Sequence, residues 1–85
     1  MRRDKIDIIA DILRVTLNGA KKTQIVYKAN LNFKILQKYL DKMIKSGLIT
    51  TLTNEPGIIK TTEKGSKYLE RYNGFKKYAE ATLAL

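Results

Sequence analysis

A mostly helical α+β fold, with elements in the order helix, helix, helix, hairpin, helix, is predicted by three observations. Apolar residues recur at helical spacing over four separate stretches. One β-branched run, interrupted by Asn54-Glu55-Pro56-Gly57, lies between the third and fourth stretches, and the lysines crowd into the second and third. At 85 residues the chain amounts to one domain. A domain of that size buries only about 60 to 65% of its unfolded surface, so burial against a partner is expected to help it.

The first helix is predicted from Arg3 to Asn18. Ile6, Ile9, Leu13 and Leu17 form a stripe widened by Ile8 and Ile12, and Gly19 follows as a stop. Its opposite face carries Asp4, Asp7 and Asp11 with Arg14. Aligned acids of this kind read as a solvated face rather than a cation site, because Ca²⁺ and Mg²⁺ want more oxygen ligands than three carboxylates supply. No metal site is predicted, and this acidic face should point away from any polyanion.

A short second helix is predicted over Thr23 to Ala29, capped by Thr23 or a residue just before it, with Ile25 and Val26 turned inward. Asn30-Leu31 makes a turn in which Leu31 plugs the core, and Asn32 caps the third helix, Phe33 to Ser46, which stops at Gly47. At 100° per residue Ile35, Leu36, Tyr39, Leu40, Met43 and Ile44 fall on one half of that helix. Lys34, Gln37, Lys38, Asp41, Lys42 and Lys45 fall on the other. Tyr27 and Tyr39 are assigned to the core, and Phe33 to its edge.

Leu48 to Thr53 and Ile58 to Thr61 read as the strands of a hairpin around the four-residue turn Asn54 to Gly57. A lone hairpin is marginal, so this one must lean on the helices. Thr62 caps the last helix, and Glu63 suits the positive end of its dipole. The helix is expected to reach Leu83 unless Asn73-Gly74 breaks it, both being poor helix formers. Tyr68, Tyr72, Phe75, Ala79 and Thr82 repeat at coiled-coil-like spacing, with Leu69 and Leu83 beside them. Since a small core has little room for three aromatics and Leu69, these residues are assigned to a homodimer interface.

Composition narrows the chemistry. The formal charge is +9, and the segment Lys21 to Lys45 supplies six of those charges, from seven lysines against the single acid Asp41. Such a concentration favours a polyanionic partner. The chain has no cysteine and no histidine, which removes disulfides, thiolate nucleophiles, imidazole bases and most transition-metal sites. Its five glycines are too scattered for a phosphate-binding loop. No apolar run approaches the roughly 20 residues of a membrane span, and the start of the chain does not read as a signal peptide. The expectation is a binding protein of the cytoplasm, with no enzymatic activity, cofactor or evident small-molecule ligand.

Short helix, tight turn and longer lysine-rich helix form the layout of a helix-turn-helix, and the following hairpin occupies the position of a wing. With the strings GAKKTQIVYKANLNFKILQKYLDKMIKSGLI and TTEKG in view, the chain resembles the small archaeal ten-kilodalton winged-helix DNA-binding proteins, counted among archaeal chromatin proteins. The resemblance runs from about Lys5 to Tyr72. It implies a winged helix-turn-helix core, residues 1–61, and a C-terminal dimerisation helix, residues 62–85, which pairs antiparallel with its mate. The last helix here is shorter than that pattern.

Double-stranded DNA is therefore the expected partner. Asn32, Lys34, Gln37 and Lys38 stand at the front of the third helix, where side chains reach base edges. Lys21, Lys22 and Lys28 around the second helix would meet phosphates, and Asn54 and Lys60 on the hairpin could reach a neighbouring one. The competing expectation is a winged helix that docks an acidic protein partner and ignores DNA. RNA reading is disfavoured because no aromatic pair is expected on an exposed sheet.

Overall fold

The structure, a computed structural model, describes residues 3–83. Six elements follow in order: α1 (Lys5–Val15), α2 (Lys22–Lys28), α3 (Phe33–Lys45), β1 (Ile49–Thr51), β2 (Ile59–Thr61) and α4 (Glu63–Leu83). Their order is the one the sequence predicts, with a winged helix-turn-helix arrangement and a long C-terminal helix. The outermost residues of the expected division into core and dimerisation helix, 1–2 and 84–85, lie outside the described residues.

Helix ends follow local chemistry. Asp4 accepts from the Asp7 amide at 3.1 Å while Asp7 accepts from the Asp4 amide at 3.2 Å, a reciprocal cap that starts α1 at Lys5 rather than at the expected Arg3. Asn32 caps α3 by accepting from the Ile35 amide at 2.7 Å. At the far end Gly47 adopts φ +77°, its amide donates to Ile44 at 3.0 Å, and Leu48 donates to Met43 at 2.9 Å. This left-handed exit satisfies two end carbonyls. Asn30, at φ +54°, does the same for α2, with Leu31 donating back to Val26 at 3.0 Å.

The core is built from Ala10, Ile12, Leu13, Ile25, Leu36, Leu40, Met43, Ile49, Ile59 and Leu69. On α1 the buried face differs from the expected stripe: Ala10, Ile12 and Leu13 turn inward, while Ile6 is exposed, as is Leu17 beyond the end of the helix. With α4 packed on one side and α2 on the other, the helix buries a wedge rather than one straight line. Val26 is half-buried, and Ile35 and Ile44 are exposed at the edges of the α3 face. Tyr39 packs against the core, but Tyr27 is 85% exposed and Phe33 is exposed too, contrary to their assignment. The seven-residue α2 turns only Ile25 fully inward, so Tyr27 is left on the outer face.

The hairpin is antiparallel, pairing Ile49 with Thr61 and Thr51 with Ile59. It is shorter than expected, and Ala20 adds an unforeseen antiparallel bridge to β2 through two 2.9 Å backbone bonds to Ile59. Thr62 Oγ1 accepts from the Gly65 amide at 3.1 Å and so caps α4. A Cβ on Gly65 would lie 2.2 Å from the Leu48 carbonyl oxygen, so the hairpin exit requires glycine there. Helix α4 passes through Asn73-Gly74 without a break. Its 21 residues span about 31 Å at 1.5 Å each and project beyond the core, which stretches the molecule to 49 Å in its longest dimension.

Candidate nucleic-acid interface

The burial of Leu36, Leu40 and Met43 fixes the rotation of α3 and turns Lys34, Gln37, Lys38, Asp41, Lys42 and Lys45 to solvent. Beside them lie Lys21 and Lys22 at the start of α2. A cleft of about 560 Å³ between α2, α3 and the hairpin is lined by Lys21, Lys22, Gln37, Thr51 and Pro56-Gly57. Lys22, Gln37 and Asp41 form a hydrogen-bonded chain across it. The Lys22 ammonium donates to Gln37 Oε1, and Gln37 Nε2 donates to Asp41 Oδ1, both at 2.8 Å.

Not every expected contact residue converges there. Asn32 is exposed at the front of α3, but its Oδ1 is committed to the helix cap, leaving the Nδ2 hydrogens free to face outward. Lys28 lies at the other end of α2, in a separate polar cleft with Arg3, Arg14 and Asn30. On the hairpin Asn54 and Lys60 are both exposed.

Charge pairing separates two sides of the molecule. All four ion pairs among the described residues involve α4 or the α1 region: Arg3 and Arg14 with Asp11, Lys76 with Asp7, and Lys67 with Glu63. The lysines of α2, α3 and the hairpin take part in none of them. No ion pair among the described residues therefore neutralises them, and Asp41 is the one acid on the face of α3 that the core does not use.

The acids of α1 are not the solvated face that their spacing implies. Asp11 bridges Arg3 and Arg14, each at 2.9 Å. Asp7 accepts from the Tyr72 hydroxyl and lies 3.1 Å from the Lys76 ammonium. The Tyr72 hydrogen bond, followed by the Lys76 contact and the amide of Asp4, holds the Asp7 carboxyl well below the usual carboxylate range. Burial, and then the Asp7 hydrogen bond, pushes the Tyr72 phenol up. These contacts fasten α4 to α1. Arg3, which the sequence reading did not single out, also donates to the Ala29 and Asn30 carbonyls, at 2.6 and 2.9 Å, and so pins the turn that leads into α3.

Along α4 the expected interface residues divide. Leu69 is only 6% exposed and Tyr72 is engaged with α1, so both are spent largely within their own chain. Tyr68 and Ala79 are half-buried, whereas Phe75 at 60%, Leu83 and Thr82 are exposed. Tyr78, which the sequence reading passed over, is 72% exposed. Tyr68 and Phe75 join Ile6 and Leu48 in an apolar groove of about 460 Å³, rimmed by Lys64, Lys67 and Arg71. The unpartnered face of α4 is thus rotated from the expected seam toward Arg71, Phe75 and Tyr78. The four-three spacing marked the helix as two-sided without showing which side its own core had taken.

No helix of the described residues is long and apolar enough to cross a membrane. A family model described as winged helix-turn-helix matches residues 2–80. Two uncharacterised proteins of Methanocaldococcus jannaschii are similar in sequence. One is 36% identical over 72 residues, which cover 84% of this chain and 33% of that protein. The other is 37% identical over 49 residues, which cover 56% of this chain and 50% of that protein. The chain thus spans between a third and a half of the length of these relatives. Among solved structures, the crystal structure of Sso10a-2, a DNA-binding protein from Sulfolobus solfataricus, matches with a TM-score of 0.83 and 32% identity, over 96% of this chain and 87% of that one.

Proposed function

The chain belongs to the winged helix-turn-helix family, and on that premise we propose that it binds duplex DNA as a non-catalytic homodimer. The observation that carries the reading is the exposed lysine set of α2 and α3, none of it in an ion pair among the described residues, on a helix whose rotation the core fixes. The likeness to a DNA-binding protein over nearly the whole chain supports it.

In this reading Lys34 and Lys38 enter the major groove with Gln37, while Asn32 presents its amide hydrogens at the same edge. Lys21 and Lys22 meet one phosphate strand, and Lys28 meets phosphate at the other end of α2. Asn54 and Lys60 on the hairpin add a lesser backbone contact. The second copy packs on α4 through Tyr68, Phe75, Tyr78, Thr82 and Leu83, with Ala79 beside them. Two recognition helices on one dimer raise affinity through effective concentration. With lysines rather than bidentate arginines on α3, affinity shared by all sequences is a large part of the total. That balance favours an architectural, nucleoid-associated role over a strict operator-binding one.

Titration of a mixed-sequence duplex at several salt concentrations tests the reading. The slope of log K against log salt should correspond to about 4 to 8 phosphate contacts per dimer. No binding at about 50 mM salt overturns it in favour of a winged helix that docks an acidic protein.

A further inference from the structure

Gln37 is held at both ends of its amide: Oε1 accepts from Lys22, and Nε2 donates to Asp41. We propose that Lys22, Gln37 and Asp41 form an adenine reader gated by the DNA backbone, in which phosphate draws Lys22 away and Asp41 keeps the freed amide correctly oriented. The inference rests on the DNA reading above and adds to it a base preference and a positioning residue.

The gate follows from the relative strength of two acceptors. In the free protein the Lys22 ammonium is bonded to a neutral amide oxygen. A phosphate oxygen carries a negative charge, so it adds a Coulomb attraction for the ammonium that the neutral amide oxygen does not offer. A backbone phosphate that approaches the start of α2 therefore competes Lys22 away from Gln37. Once water is excluded from the groove, the vacated Oε1 requires a new donor, because an unsatisfied buried acceptor is costly. Base edges in the major groove offer two amino donors, adenine N6 and cytosine N4.

Asp41 makes the choice between them. One Nε2 hydrogen is given to its carboxylate, and the second remains free. Adenine presents a donor at N6 beside an acceptor at N7, which matches the freed oxygen and the remaining hydrogen together. Cytosine supplies the donor alone. Guanine supplies only acceptors at N7 and O6, so it can take the one free Nε2 hydrogen but leaves Oε1 without a donor, and a two-bond pairing would require the amide to turn over and bring Oε1 against the Asp41 carboxylate. A carboxylate has no hydrogen to give, so that orientation is repelled. Asp41 is the single acid between Lys21 and Lys45, where negative charge opposes phosphate binding. Orientation of Gln37 gives it a use in that setting.

Selection from a duplex library with a randomised window tests the proposal, with affinity for a mixed-sequence duplex measured alongside. The wild-type chain should enrich adenine about tenfold at one position per half-site, within the range of a good bidentate contact. Asp41→Ala should bind the mixed duplex more tightly, having lost a repulsive charge, while its adenine enrichment falls to about twofold or less. Asp41→Glu, which keeps the carboxylate, should retain most of the enrichment. Lys22→Met should weaken binding to all sequences by a similar factor and keep the adenine preference. A wild-type chain that binds DNA with a flat base profile overturns the adenine reader and leaves the proposed function intact. An Asp41→Ala chain that still enriches adenine removes Asp41 from the mechanism. Failure of the wild-type chain to bind any duplex overturns the DNA reading and this inference with it.

Discussion

The hydroxyl oxygens of Thr16 and Thr61 lie 2.7 Å apart in the interior, 45 residues apart in sequence, and join the end of α1 to β2. Thr16 Oγ1 also lies 2.9 Å from the Ile12 carbonyl oxygen, and Thr61 Oγ1 lies 2.9 Å from that of Leu13. The Thr61 amide donates to the Thr16 carbonyl at 2.9 Å. With one hydrogen each, only one hydroxyl can donate to the other: Thr61 donates to the Leu13 carbonyl and can accept from Thr16 in the buried interior.

Thr61→Val should therefore destabilise the fold by about 1 to 3 kcal/mol, because Thr16 and the Leu13 carbonyl lose a buried partner. In urea unfolding the midpoint should fall while the slope is unchanged. The double variant Thr16→Val with Thr61→Val should cost less than the two single changes added together, since it leaves no stranded hydroxyl.

Replacing Lys34 and Lys38 together by alanine should weaken DNA binding by at least about tenfold with little change in melting temperature, since both side chains point to solvent. Lys77→Ala, on the exposed outer part of α4, is the control. It removes one positive charge far from α3 and should change affinity much less. Fluorescence anisotropy with a labelled duplex makes the comparison, and equal losses would place the binding surface elsewhere.

Asp7 predicts a pH dependence. Its carboxyl lies below the ordinary range in the folded protein, so the unfolded chain takes up protons first as the solution is acidified. The stabilisation is complete above about pH 4, the ordinary carboxylate value, and is lost as pH falls below it. Asp7→Asn should lower the melting temperature at neutral pH, and the gap to the wild-type protein should narrow toward pH 3. A gap that stays constant would mean that Tyr72 and Lys76 do not depend on the Asp7 charge.

Gly65→Ala should cost about 1 to 3 kcal/mol through overpacking. Its new Cβ would meet the Leu48 carbonyl oxygen and Thr61 Cγ2 at 2.2 and 2.7 Å, and neither can yield without parting α4 from the hairpin. Thermal unfolding of the purified variant provides the measurement, and an unchanged midpoint would show that the hairpin exit can shift.

Phe75→Glu combined with Tyr78→Glu should convert the proposed homodimer to a folded monomer, because both side chains are exposed within the single chain. Sedimentation equilibrium at micromolar concentration distinguishes the states. DNA affinity should fall with the loss of the second recognition helix. A dimer that survives these charges would move the interface to another face.

What the sequence alone determined is the order of the elements, the ends of α3 and the sidedness of its charge. Asn32 and Gly47 act through backbone bonds to neighbours a few residues away, and the lysine face is defined by helical periodicity over 13 residues. What only the tertiary structure decided depends on distant partners or on too few turns to set a phase. Tyr27 sits on a seven-residue helix, where one residue of rotation separates core from solvent. Asp7 looks like one of three solvated acids until Tyr72 and Lys76, more than 60 residues later, are folded against it. Ala20 pairs with Ile59 through main-chain atoms that no side-chain pattern announces. Which side of α4 is left exposed was likewise settled by α1, whose packing takes up Leu69 and Tyr72 and leaves Phe75 and Tyr78 outside.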